Sequence, residues 1–259
     1  VFAPADRGRR HALRWAARHA ARTGGCIQVL VDPGERQQQE HPAGTVGLLG
    51  RTLRDLLARV VDPLRSPDAG SVTRDLVGAV AGARLLVIPQ SLPELLAVVE
   101  AVTEPVVAVP DHPLPPGDAS VVLALAPWTG PEVIGAAFET AAQYGVALRV
   151  MQALDPERET GEAARTCRDD LAAWRLVRPQ VTVDVEVVDR DPVEALHRRA
   201  RGAQLLVMGR PARGRVRELV APSPTSELLR TAACPVLVVP PPGPSRPTWS
   251  SHPGWGATH

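Results

Sequence analysis

The chain has 259 residues, 44% hydrophobic and 22% charged, with 29 basic against 28 acidic side chains; two ordinary domains fit this length, and no net field draws the protein to nucleic acid or an anionic membrane. Every basic residue is Arg and there is no Asn, which excludes Schiff-base, P-loop and kinase-type lysines and any N-x-[ST] glycosylation site. Cys26, Cys167 and Cys234 lie far apart with no C-x-x-C or Cys/His cluster, and no apolar run reaches the roughly 20 residues of a membrane span, so the expectation is a cytoplasmic protein with reduced, buried cysteines and no zinc.

In chain order, the apolar stretch VFAPA opens the sequence at 1–5 with no signal-peptide core. A helix is predicted near 8–23, on which Arg10, Arg14, Arg18 and Arg22 recur every four residues opposite Leu13, Ala17 and Ala20. Like charges at that spacing repel by a few tenths of a kcal/mol per pair, and an exposed face is the expected reading. A strand follows at 27–31, a polar helical segment near 45–61, a helix at 72–81, a strand at 84–88, a helix at 92–101 and a last strand at 106–109.

After the Pro- and Gly-rich linker DHPLPPGD (111–118), the same order begins again. A strand is predicted at 121–126, a helix at 131–144, a strand at 147–151 and a polar helix near 157–175. VTVDVEVV at 181–188 alternates with period two as a third strand; no counterpart is clear in the first copy. A helix at 192–201, a strand at 204–208, a helix at 225–232 and a strand at 236–239 complete the unit. Trp15 and Phe138, on the first helix of each copy, are expected in the core. The tail 242–259 has no apolar period and is expected to be disordered.

The repetition is internal duplication. GARLLVIP (82–89) matches GAQLLVMG (202–209) at an offset of 120, PVVAVP (105–110) matches PVLVVP (235–240) at 130, and 12–31 aligns with 133–152 at 121. The second copy holds ten extra residues between its last two strands, where GRPARGRVRELVAPSPTS (209–226) lies. Alternating strands and helices imply parallel pairing with right-handed crossovers. The expected class is α/β: two tandem open, parallel, five-stranded sheets flanked by helices, one over 1–112 and one over 118–241, joined by 113–117. The last strands, PVVAV and PVLVV, have no later strand to cover them. They are expected to pair antiparallel across the chain as an intramolecular pseudo-dimer.

VVDRDPVEAL (187–196), GAQLLVMG and SELLRTAACPVLVVP (226–240) resemble the universal stress protein family, and the whole arrangement resembles its tandem two-domain form. The resemblance implies a Rossmann-like fold of the adenine-nucleotide α-hydrolase type. It also implies an ATP site built from an Asp at the end of the first strand and a loop G-x2-G-x9-G-[ST], whose glycines let backbone N–H groups approach phosphate. In the second copy Gly209 and Ser223 fit that loop, but Ala212 and Pro222 replace its second and third glycines, and Ala126 stands where the Asp belongs. Pro222 has no N–H to donate. The first copy has no glycine between Gly82 and Gly117.

The candidate residues of this degenerate site are Gly209, Arg210, Arg213, Gly214, Ser223, Ala126 and Met151. The loop arginines offer charge-assisted donors to an anion, or are a solvated basic loop. No catalytic residue and no metal ligand is assigned. The expected function is a non-catalytic stress-response protein with decayed nucleotide sites, no cofactor, an unidentified protein partner and self-association through sheet edges. The alternative is a sensor that holds ATP or another adenine nucleotide in the second copy only.

Overall fold

In a computed structural model of the chain, the described residues are 8–25, 29–31, 61–63, 77–80, 82–112, 120–126, 129–153, 162–188, 191–210 and 224–241. Their elements, in order, are helix α1 (Gly8–Thr23), strands β1 (Val29–Val31), β2 (Val61–Pro63) and β3 (Leu86–Pro89), helix α2 (Leu95–Ala101), and strands β4 (Val106–Val109) and β5 (Ser120–Leu125). Then come α3 (Pro131–Tyr144), β6 (Ala147–Ala153), α4 (Glu162–Val177), β7 (Val183–Val188), α5 (Pro192–Ala200), β8 (Leu205–Gly209), α6 (Pro224–Thr231) and β9 (Val236–Val239). The opening stretch 1–5, most of the helix near 45–61, the linker 113–117 and the tail 242–259 lie outside the described residues.

The second copy is five parallel strands in the order β9-β8-β5-β6-β7. Connections leave β5 in one direction and return beside it through β8, so the order reverses between β5 and β8; open sheets of this kind have their crevice at that point. In the first copy β3 pairs with β4 in parallel, and β1 with β2. Strand β2 is a third strand that the sequence pattern does not reveal, and it corrects the end of the helix expected to run to residue 61.

The two copies do not form separate sheets. β4 pairs antiparallel with β9, and the sheet runs as β3-β4-β9-β8-β5-β6-β7. The edge pairing expected from PVVAV and PVLVV is therefore present, and it removes the expected separation of two sheets. The register is Val106↔Val238, Val107↔Leu237 and Ala108↔Val236. At the offset of 130, Val107 and Leu237 are equivalent residues, so the pairing is symmetric about them.

Period-two alternation sends successive side chains to opposite faces. Val107, Val109, Leu237 and Val239 join a core with Ile134 and Phe138 of α3 and Trp174 of α4. Val106, Ala108, Val236 and Val238 join another with Leu95 and Val98 of α2, Leu196 of α5 and Leu228 of α6. All eight strand residues are buried, as expected of strands covered on both faces. Trp15 and Phe138 are core residues, as expected. Cys234 is buried and free, and burial pushes its thiol up to about 12.

The duplication is legible in individual hydrogen bonds. Gly24 and Gly145, at the C-termini of α1 and α3, both take φ +66°, which favours glycine. Gly25 N–H donates to Ala20 O at 3.0 Å, and Val146 N–H to Ala141 O at 3.1 Å. Leu86 N–H to Pro105 O and Leu206 N–H to Pro235 O are both 2.9 Å.

On one face the halves meet through a partly buried cluster that is not duplicated. His19 stacks on Trp15 with centroids 4.9 Å apart, and its Nδ1 lies 2.8 Å from Tyr144 Oη. Arg22 sits 4.4 Å over the Tyr144 ring and donates to Gln204 Oε1 at 2.7 Å. Burial, aided by the Arg22 charge, lowers His19 from 6.5 to about 4. Burial raises the Tyr144 hydroxyl to about 12 against the opposing Arg22 charge.

The unfolded imidazole takes a proton near pH 6.5 while the folded one resists until about pH 4, so stability is full above pH 6.5 and falls as the pH drops through that window. The loss reaches up to about 3 kcal/mol. Urea unfolding from pH 7.5 to pH 4 should show this fall, and His19→Gln should remove most of that pH dependence; an unchanged slope in the variant would contradict the assignment.

Candidate functional site

The crevice between β5 and β8 is bounded by Leu125 and Ala126 at the end of β5, Gly209 and Arg210 at the end of β8, and the N-terminus of α3. Thr129 closes the β5–α3 turn: its Oγ1 accepts from Ala126 N–H at 2.8 Å while its own N–H donates to Ala126 O at 2.9 Å. Gly130 is the N-cap, with no side-chain cap, and Pro131 follows it. A Cβ on Gly209 would stand 3.3 Å from Val133 Cγ2, so the end of β8 packs tightly on the first turn of α3.

The positive end of α3 faces this crevice, and the chain occupies it with its own carboxylate. Glu132 folds back so far that a Cβ on Gly130 would overlap its Oε1. Burial raises the Glu132 carboxyl from its ordinary value, opposed by a hydrogen bond from its own backbone N–H and reinforced by the charge of Asp170. Asp170 is raised by burial and by its neighbour Asp169. A phosphate arriving here meets a carboxylate already using the helix end.

Arg210 is engaged elsewhere. Its Nη1 donates across the boundary between copies to Val99 O at 2.8 Å and Val102 O at 2.7 Å, with Glu100 O at 3.3 Å. These are orphan carbonyls at the C-terminus of α2, where a cation is favoured. The equivalent residue of the first copy, Gln90, reaches the other way: Nε2 donates to Ala232 O at 3.2 Å, just beyond α6. The backbone N–H of each also donates to its own last strand, Gln90 to Val109 O at 2.8 Å and Arg210 to Val239 O at 2.9 Å. The two copies thus clasp each other's helix ends symmetrically, a role that no local motif marks.

Of the other sequence candidates, Ala126 and Gly209 are brought to the ends of adjacent strands. Met151 is buried among Val122, Leu206 and Met208 in the core of the α5–α6 face. Arg213, Gly214 and Ser223 lie outside the described residues. Glu132 was not among the sequence candidates; its position at the second residue of a helix behind Gly130-Pro131 is the available signal.

Among the described residues no group of three His, Cys, Asp or Glu could hold a metal ion, and no helix is long and apolar enough to cross a membrane.

Residues 129–240, from the start of α3 to the end of β9, match the model of the universal stress protein family. The match lies within the second copy. The fold of the whole chain is similar to solved structures of matching length. One is assigned as a universal stress protein from Pseudomonas aeruginosa UCBPP-PA14, with 18% identity and TM-score 0.65, covering 93% of this chain and 92% of the other. Another is a universal stress protein from Archaeoglobus fulgidus DSM 4304, with 13% identity and TM-score 0.63, covering 92% and 94%. A third, a functionally unknown protein from Pseudomonas aeruginosa PAO1, has 16% identity and TM-score 0.62, covering 93% and 91%. No curated protein sequence matches the chain.

Arg210→Ala leaves the last carbonyls of α2 without their cation and should cost about 1.5–3 kcal/mol in urea unfolding, the range for hydrogen bonds with a charged partner. Gln90→Ala should cost about 1 kcal/mol or less. Equal stability of Arg210→Ala and the parent protein would show that the clasp carries no energy.

Proposed function

We propose that this protein is a non-catalytic regulatory member of the universal stress type in which the nucleotide site of the second copy has decayed. It would comprise two domains, 1–112 and 118–241, working as one platform for a protein partner in the cytoplasm, without a cofactor. Self-association through sheet edges belongs to the same reading: β7 is one of the two outer strands of the described seven-stranded sheet, and it exposes Val185 and Val187 by 41% and 52%.

The observation that carries this reading is that groups bordering the β5–β8 crevice are engaged by the chain itself. Glu132 sits on the helix end that would receive phosphate, and Arg210 is spent on the carbonyls of α2. Ala126 supplies no carboxylate for a ribose hydroxyl. Each polar group of a bound nucleotide left unpaired costs about 1–3 kcal/mol, so a few such groups carry a micromolar site to roughly millimolar or weaker.

Calorimetric titration of the full chain with ATP tests it. The expected result is no binding tighter than about millimolar, with Glu132→Gln raising the affinity. Micromolar binding to the unmodified protein would overturn the proposal in favour of an ATP sensor using the second copy only.

A further inference from the structure

The arginine stripe of α1 has an unequal fate along its length. Arg22 is held by Tyr144 and Gln204, and Arg18 is exposed. Arg10 and Arg14 line a cavity of about 260 Å³ together with His11 and Asp111. We propose that this cavity is a binding site for a small phosphate-bearing anion, either hydrogenphosphate or a compact phosphate monoester.

The cavity lies at the C-terminal edge of the first copy's strands. Gly8 brings α1 there: a Cβ at this position would overlap Asp111 Oδ1 and stand 2.7 Å from Pro89 Cβ and 2.9 Å from Ser91 Oγ, so only glycine allows the approach. Among the described residues the lining sets two guanidinium groups against one carboxylate, an excess of positive charge that suits an anion. Guanidinium groups one helical turn apart offer planar, paired donors that match phosphate oxygens. Asp111 supplies an acceptor for a P–OH or a substituent hydroxyl, which sulfate at neutral pH cannot offer. Sites for drug-sized ligands begin at about 300 Å³, and the volume of this one suits a phosphate with a small substituent.

Comparison of the copies isolates the site. At the offset of 121, Arg10, His11 and Arg14 correspond to Pro131, Glu132 and Gly135. The chemistry reverses: the second copy covers its helix end with a carboxylate, and the first sets two arginines and a histidine beside the equivalent end. α1 has no acidic residue in its first turn. No phosphate-cradling glycine loop contributes, since the first copy has none between Gly82 and Gly117.

The test is NMR of the full chain carrying ¹⁵N-labelled histidine, at low ionic strength in a phosphate-free buffer. The probes are inorganic phosphate, glycerol 3-phosphate, sulfate and ATP. The His11 ring signals should move saturably with phosphate or glycerol 3-phosphate while those of His19 stay still; whichever of the two binds more tightly identifies free phosphate or an ester as the ligand. Arg10→Gln/Arg14→Gln should weaken binding at least about tenfold, the scale of one charge-assisted hydrogen bond. Arg18→Gln should leave it unchanged; should the double variant not fold, Arg14→Gln alone should weaken it. An immobile His11, equal affinity for sulfate, or an equal loss in Arg18→Gln would overturn the proposal. ATP binding that survives Arg10→Gln/Arg14→Gln belongs to the β5–β8 crevice, so this inference and the functional reading fail separately.

Discussion

Three register pairs between β4 and β9 decide the rest of the architecture. A parallel sheet ends at a strand with unsatisfied backbone groups on its outer side, and an open apolar edge invites association. Here each copy supplies the other's missing neighbour, so the chain closes these two apolar edges within itself. The antiparallel sense follows from symmetry: two equal edges meeting about a twofold axis must run in opposite directions. Val107 and Leu237 lie at that axis. Side chains from both strands alternate into both core clusters, so the two copies share their cores.

The clasp by Arg210 and Gln90 is a consequence of the same symmetry. Once β4 and β9 pair, the residue after β8 is carried to the C-terminus of α2, and the residue after β3 to that of α6. Duplication then permitted divergence. Among the described residues glutamine donates to Ala232 on that side, while arginine reaches several carbonyls at the end of α2. The helix ends at the C-terminal edge of the sheet diverged further. One is occupied by Glu132, and the other is bordered by Arg10, His11 and Arg14. A protein built from two like halves therefore presents unlike chemistry at related places.

Much of the fold was legible because it rests on local patterns. The repeat offsets, the β-branched runs and the glycines ending α1 and α3 locate the main elements to within a few residues. The edge pairing was legible too, since PVVAV and PVLVV are apolar strands with nothing after them. Strand β2 was not: three residues, Val61–Pro63, follow a leucine- and arginine-rich segment with helical character, although VVDP at 60–63 resembles VVDRDP at 187–192. The destination of Arg210 was invisible for a different reason. Its partners are more than a hundred residues away, and a basic loop suggests an anion before it suggests a helix end. The cavity beside α1 joins residues from either end of the first copy, whose proximity only the folded sheet creates.

The central claim is that the two copies are one cooperative body joined through β4 and β9. Native-state hydrogen exchange on the full chain tests it most directly. The account predicts that the hydrogen-bonded amides of 106–109 and 236–239 exchange only through global unfolding, with the same opening free energy and the same denaturant dependence as the core amides of β5 and β8. Exchange of 106–109 at a distinctly lower free energy, with the second copy still protected, would show two independently unfolding halves and contradict it.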